Sequence, residues 1–441
     1  MTTAAQGARG TEGIEGTVSK RLRIEAREGS RLRGALVLVL LMLVVLSLVR
    51  WVTGAEDITS TGTFGAALRL GVPIAMAGLG GLYSERAGIG NIGLEGMMIL
   101  GTWFGAWAAW KYGNPWYGVL GGVLGGAVGG LLHAVATVTF NVDHVVSGVA
   151  INILGAGVAR YLSVIAYANA NIPGAGATQS PQVGSGGTWS LPLLSGGDLF
   201  GWHSPDPLRW LERHHWFFVS DVAGILHGLT NGVSWITLVA VLLLPLSFFV
   251  LWRTAFGLRL RSVGESPMAA ESLGVPVYTM KYVAVVISGA LAGFGGAFLA
   301  IVGASIYREG QTGGRGFIGL AAMIFGNWRP GGLAAGASLF GYADALQLRS
   351  PRAVHALLLF VAIVLALIAV RAALRRRMLT LGIAAVFAVL LALWYVGSDT
   401  VPGEFVTFTP HLTTLLVLAI ASQRLRPPAW DGLPYRKGMA T

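Results

Sequence analysis

The chain has 441 residues, of which 54% are hydrophobic and 12% charged, with a formal net charge of +11 and no cysteine. Soluble domains carry about 25% charged residues, so lipid is the main solvent, and disulfides, thiolate chemistry and Cys-based metal sites are excluded. The basic residues sit in short clusters at the ends of apolar runs, a pattern that orients a membrane protein and argues against a nucleic-acid partner.

Residues 1–33 are polar and Arg-rich and are expected to form a disordered cytoplasmic tail. Gly34 to Val52 is almost purely aliphatic. It is too long for a signal-peptide core of about 7–15 residues and has no A-x-A site after it, so it reads as a first span. Further spans are predicted at 64–82, 90–110, 117–138, 145–167, 234–252, 281–303, 316–328, 331–347, 353–370, 379–396 and 409–422. The fold class is all-α: a polytopic membrane helical bundle of about 12 spans, both termini cytoplasmic. The chain divides into a tail at 1–33, a membrane core at 34–348, an extra two-span insertion at 349–408, and a last span with a basic tail at 409–441. In this arrangement cytoplasmic segments hold 21 Lys or Arg and external ones seven, the sign the positive-inside rule requires. The long segment 168–233 is external, rich in Gly, Pro, Ser and Trp, and without a strong period.

Four segments carry the functional signals. Ser84 to Gly96 holds two carboxylates, an arginine and four glycines between apolar runs. Glu85 and Arg86 read as surface charges of a solvated turn. For Asn91 and Glu95, which enter the apolar run, a cavity-facing role and a place in that solvated turn stand level; four residues apart, they would share one face of a helix. Gly121 to Gly130 has small-xxx-small spacing and lacks the Lys-Ser/Thr of a phosphate loop, so it reads as a packing face, with His133 a buried, hydrogen-bonded histidine. The segment 252–275 is the largest internal cytoplasmic loop. Ser266 as cap, Pro267 at the first helical position and Gly274 as stop predict a short helix flanked by Arg259 and Arg261, a docking element for a partner. Gly313 to Pro330 resembles a half-helix beside a pathway, in which Phe317 and Phe325 either stack on a planar substrate or pack internally. His203, His214 and His215 match no common zinc spacing. No ATP-binding motif occurs, so ATP-driven transport would need another chain to hydrolyse it.

Together these motifs carry a resemblance. Glu85-Arg86-Ala87-Gly88 running into Asn91-Ile92-Gly93-Leu94-Glu95-Gly96 is similar to the signature of permeases in the simple-sugar and nucleoside branch of ABC importers. Gly257 to Glu265, Ile287 to Gly293, Gly314 to Ile318, Phe325 to Pro330 and Arg426 to Tyr435 resemble the same family. The resemblance covers about 63–167, 234–347 and 409–437; the two spans between Leu348 and Thr409 lie outside it.

The resemblance implies a non-enzymatic permease subunit for nucleosides or simple sugars in a bacterial inner membrane. It would pair with a second, related permease, dock a cytoplasmic ATPase that binds ATP and Mg, and receive substrate from an extracytoplasmic lipoprotein. It would carry no cofactor or metal of its own. On the reading of the segments themselves, Asn91, Glu95, Phe317 and Phe325 would line the path, and Arg259, Arg261, Glu265, Pro267, Met268, Ala269, Ala270 and Glu271 would form the coupling element. An ion-coupled secondary transporter is the alternative; it would need carboxylates within the spans, and Glu95 and Asp344 are the acidic residues at or in them.

The charge asymmetry sets a test. A cysteine at Asp399 should react with an impermeant thiol reagent on intact cells, and one at Arg375 should not; the cysteine-free background makes the labelling single-site. Reversed labelling would overturn the orientation.

Overall fold

The computed structural model describes residues 34, 36–168, 174, 176–199, 201–349, 351–403 and 425–438. The expected N-terminal tail and the span at 409–422 lie outside the described residues. The helices are α1 (Leu36–Thr53), α2 (Thr61–Arg86), α3 (Leu94–Tyr112), α4 (Pro115–Ala134), α5 (His144–Tyr167), α6 (Pro207–Arg213), α7 (Val219–Thr230), α8 (Trp235–Arg253), α9 (Ala255–Glu265), α10 (Pro267–Ser272), α11 (Val277–Phe298), α12 (Arg315–Phe325), α13 (Pro330–Arg349), α14 (Pro351–Leu374) and α15 (Met378–Gly397). α4 and α11 each continue into a π-helical turn, at Val135–Thr139 and Leu299–Gly303. Short polar side chains start several of them by accepting orphan backbone N–H groups: Ser60 from Thr63, Asn114 from Trp116, Asp143 from Val145 and Val146, and Thr254 from Gly257.

Eight helices among the described residues are long and apolar enough to cross a membrane: α1, α2, α4 and α11 with their π turns, α5, α8, α14 and α15. The predicted spans around α3, α12 and α13 are helical without meeting both criteria. The reason for α12 is length: at 11 residues it covers about 16 Å.

The core is built by α2, α3, α4, α11 and α13. Lipid offers no hydrophobic drive for helix association, so close backbone approach has to supply the attraction. The Gly121–Gly130 stripe does this. A Cβ at Gly126 would overlap the Gly289 carbonyl oxygen, and one at Gly293 would overlap that of Gly122. His133, at the end of the same helix, is fully buried between Ser147 Oγ (2.8 Å) and the Gly90 carbonyl (3.2 Å).

The segment 168–233 is more ordered than its composition suggested. It contains α6, α7 and two-residue strands: β1 (Thr188–Trp189) pairs antiparallel with β4 (Val233–Ser234), and β2 (Asp198–Leu199) with β3 (Trp202–His203). Long-range polar contacts fix it: Arg50 Nε lies 2.7 Å from Asp221 Oδ1, which also accepts from Thr59 Oγ1, and Glu212 accepts from the N–H and hydroxyl of Thr61. α14 and α15 pack chiefly on each other; α14 also meets α1 through Val45, Val49, Ala353 and Ala356.

Gly126→Val should lower the thermal unfolding midpoint in detergent, with a cost of ~1–3 kcal/mol or more for overpacking. Gly157→Val, where a Cβ would meet nothing within 4 Å, should leave the midpoint in place. Equal midpoints for the two variants would remove close approach as the basis of the α4–α11 contact.

Candidate functional site

Motifs far apart in sequence meet at the end of the bundle that carries α9 and α10. Asn327 and Trp328 both take left-handed backbone angles (φ +54° and +52°), which breaks the chain between α12 and α13. That break turns the Trp328 indole onto α2: Nε1 donates to Glu85 Oε2 at 2.5 Å. Arg86 donates through Nε and Nη2 to the Trp328 carbonyl, at 3.2 and 2.8 Å, and its Nη1 lies 3.8 Å from Glu265. The reading of Glu85 and Arg86 as surface charges is therefore corrected. Glu85 is 7% exposed, and both residues clamp the α12–α13 break because a buried carboxylate needs donors.

The C-terminal segment 425–438 straps this node. Arg426 N–H donates to Asn327 Oδ1 (2.8 Å), Trp430 N–H to the Gly264 carbonyl (2.8 Å), and Tyr435 Oη to Glu271 Oε2 (2.6 Å). Tyr435 also packs on Tyr278, and Lys281 Nζ sits 5.6 Å from its ring centroid. Asp431 reaches inward to hydrogen-bond the Glu85 carboxyl, while its Oδ1 has no partner among the described residues. Burial pushes Asp431 up to about 6, against the opposing pull of Glu85, the Gly432 N–H and Lys281.

The residues expected to form a coupling element lie on α9 and α10. Pro267 stands at the first turn of α10, and Gly274 (φ +79°) follows it with its N–H on the Glu271 carbonyl, as predicted. The capping role given to Ser266 is corrected: its hydroxyl makes no cap bond, because the residue is already the end of α9. Arg261 folds inward, donating to the Leu251 carbonyl (2.9 Å) and lying over Trp252. Glu265 and Glu271 are engaged with Arg86 and the tail; Pro267 and Ala270 are buried, and Met268 is half-buried. Arg259 and Ala269 are exposed, and Leu273 is 84% exposed. The sequence reading passed over Leu273, Trp328 and Asp431. The signal available for Leu273 was a bare leucine just before the glycine stop.

A second polar centre lies deeper. After Arg86 the chain climbs back into the bundle as an irregular segment and resumes as α3 at Leu94. Asn91 precedes that helix, so it does not share a helical face with Glu95 as expected. The irregular backbone is satisfied by side chains. Gly93 N–H donates to Asn91 Oδ1, Gly96 N–H to Asn152 Oδ1, Asn152 Nδ2 to the Ile92 carbonyl, and Gly90 N–H to His144 Nδ1. Asn91 is fully buried, its Nδ2 on Ser288 Oγ at 2.8 Å. Glu95 caps the start of α12, accepting from Gly314 N–H (2.9 Å) and Gly316 N–H (2.7 Å). Arg315, between those two glycines, pairs with Asp344 at 2.6 Å. The starts of two helices, α3 and the short α12, thus meet at one carboxylate. Phe317 on the first turn of α12 is 46% exposed, whereas Phe325 is half-buried and packs on Phe340, 6.0 Å between centroids. The structure thus joins Glu95 with Phe317, and keeps both apart from Phe325 and from α10.

A family model described as the permease component of branched-chain amino acid transport systems matches residues 63–367. The chain is 31% identical over 383 residues to the guanosine ABC transporter permease protein NupQ of Bacillus subtilis, covering 85% of this chain and 96% of the relative. It is 32% identical over 371 residues to the nucleoside ABC transporter permease protein NupC of Lactococcus lactis, covering 83% and 93%. No solved structure matches.

The tail strap should respond to acid. The docked Asp431 carboxyl holds its proton up to about 6, whereas a free aspartate releases it near ~3.9. Docking is therefore strongest at low pH, weakens as pH rises through that window, and is level above it. A spin label on a cysteine at Leu433 should become more mobile as pH rises from about 4 to about 6 and change little above that, and Asp431→Asn should flatten the change. Equal pH dependence in both would show that another group titrates.

Proposed function

The chain belongs to the family of permease components of branched-chain amino acid transport systems, and on that premise we propose that it forms the translocation path of an ATP-driven nucleoside importer. It is a multi-pass membrane protein and a transport permease, not an enzyme. The nucleoside assignment takes its support from the two relatives, one named for guanosine and one for nucleosides, which match over most of their own length. In our reading the chain has about twelve spans with both termini cytoplasmic, in the inner membrane of a bacterium. It works with a second permease subunit, an ATPase that binds ATP and Mg, and an extracytoplasmic substrate-binding lipoprotein.

The observation that carries the coupling half of this reading is the projecting face of α9 and α10. Leu273 is bare at the end of a short helix anchored by Tyr435 and Val277, with Arg259 exposed nearby. An exposed leucine held on a braced support suits insertion into an apolar cleft of the ATPase. The braced Glu271 and Glu265 would carry the push through the tail and Arg86 to the α12–α13 break.

The transport half rests on the α3–α12 junction. Broken helices within a membrane bundle commonly flank a substrate path. Glu95 and Asn91 would act here as positioning residues, since Glu95 holds the start of α12 and Asn91 holds Ser288. Phe317, exposed on α12, would stack on the base; Phe325 would support α12 from behind. Ion coupling is disfavoured on the same geometry, because Glu95 is occupied by two backbone N–H groups and Asp344 by Arg315.

One reconstitution tests both halves. Leu273→Asp with Arg259→Glu should reduce co-purification of the ATPase about ten-fold or more while the permease still inserts. Phe317→Ala should abolish guanosine uptake in vesicles while the ATPase stays bound. Full ATPase retention by the first variant, or normal uptake by the second, would refute the corresponding half.

A further inference from the structure

An apolar crevice of about 320 Å³ opens between α2, α7, α8 and α13. Phe64, Leu68 and Val72 of α2, Leu229 of α7, Val241 of α8 and Tyr342 of α13 are among its walls. Val241 is 42% exposed, so the crevice reaches the outer surface of the bundle. The Tyr342 hydroxyl is already spent on the Ile58 carbonyl, which leaves Ser338 as the one free hydroxyl of the lining. A nucleoside or sugar would leave most of its donors and acceptors unpaired there, at a cost its apolar contacts could not offset.

Two guanidiniums stand at the α7 end of this crevice. Arg349 lies seven residues beyond Tyr342 on α13, two turns on the same face. Its guanidinium covers the first turn of α2, where a Cβ at Gly62 would collide with it. Arg69 folds back toward the start of α2, with Nη1 3.9 Å from the place a Cβ at Gly65 would take. The two cations act on each other electrostatically. Among the described residues neither makes an ion pair or hydrogen bond. Of the carboxylates near that turn, Glu212 is held by Thr61 and faces His227, and Glu56 lies against His215. Two adjacent guanidiniums with no ion-pair partner among the described residues, above an apolar slot, call for a ligand that is anionic at one end and aliphatic at the other.

We propose that the α2–α8–α13 crevice and the Arg69–Arg349 pair form a binding site for one anionic phospholipid, an acyl chain in the crevice and the phosphate on the two guanidiniums. With the orientation proposed above, the lipid belongs to the outer leaflet. Both arginines direct their charge toward that interface, as long basic side chains do near span ends.

The test uses the full chain assembled with its partner subunits in nanodiscs of phosphatidylcholine with a minor share of phosphatidylglycerol. After transfer to mild detergent, native mass spectrometry counts the lipid retained. The intact protein should keep phosphatidylglycerol in preference to phosphatidylcholine. Arg69→Gln with Arg349→Gln should lower retained phosphatidylglycerol about ten-fold. Ser338→Phe, an apolar plug at the exposed lip, should lower it as well, with both variants eluting as the native complex does. Arg213→Gln, an exposed arginine on α6, should change nothing, and millimolar inorganic phosphate should not displace the lipid. Equal retention of the two lipids, undiminished phosphatidylglycerol in the double arginine variant, displacement by phosphate, or a disulfide from Ser338→Cys to the second permease would each overturn the proposal.

Discussion

In hydrocarbon no water is available to a stray peptide group, so every break in a helix must be closed by protein atoms. This constraint organises the whole core. The chain breaks before α3 and again before α12, and buried polar side chains close both gaps. Asn91, Asn152 and His144 serve the backbone between Ala87 and Gly96, while Glu95 serves Gly314 and Gly316. A carboxylate facing the N-terminal end of α12 also meets the positive end of the helix dipole, so charge and hydrogen bonding agree. The gaps can sit close together because α4 and α11 approach along glycine, leaving room for α3 beside them.

The α10 end obeys the same rule by a different means. Trp328 closes on Glu85 and Arg86, and the C-terminal strap ties that clamp to α9, α10 and the start of α11. A displacement of α10 therefore has a continuous set of short contacts to follow, from Tyr435 and Asp431 to Glu85 and Trp328. From Trp328 it meets α12, whose other end rests on Glu95. The two polar centres are thus the two ends of one 11-residue helix, about 16 Å long. A rigid helix between the proposed coupling surface and a broken-helix junction can convert movement at one into rearrangement at the other.

The sequence by itself determined the solvent, the helical class and most of the helices, because 20-residue apolar runs and end-clustered basic residues are properties of composition along one dimension. It also determined the α4 packing stripe and α10 with its proline start and glycine stop. Local chemistry carries those signals without help from distant residues.

What only the tertiary structure decided was which residues meet across the chain. Glu85 and Arg86 look like the charges of a solvated turn until Trp328, more than 240 residues away, covers them. Asn91 and Glu95 look like one helical face until the chain is seen to start its helix between them. Arg261 looks like a docking charge until Leu251 and Trp252 claim it, while Leu273 carries no motif and emerges because nothing covers it. Burial and partnership are sums over neighbours brought together by folding. A polar residue's role inside a membrane depends on that sum, so spacing along the chain could name these residues without saying what each one holds.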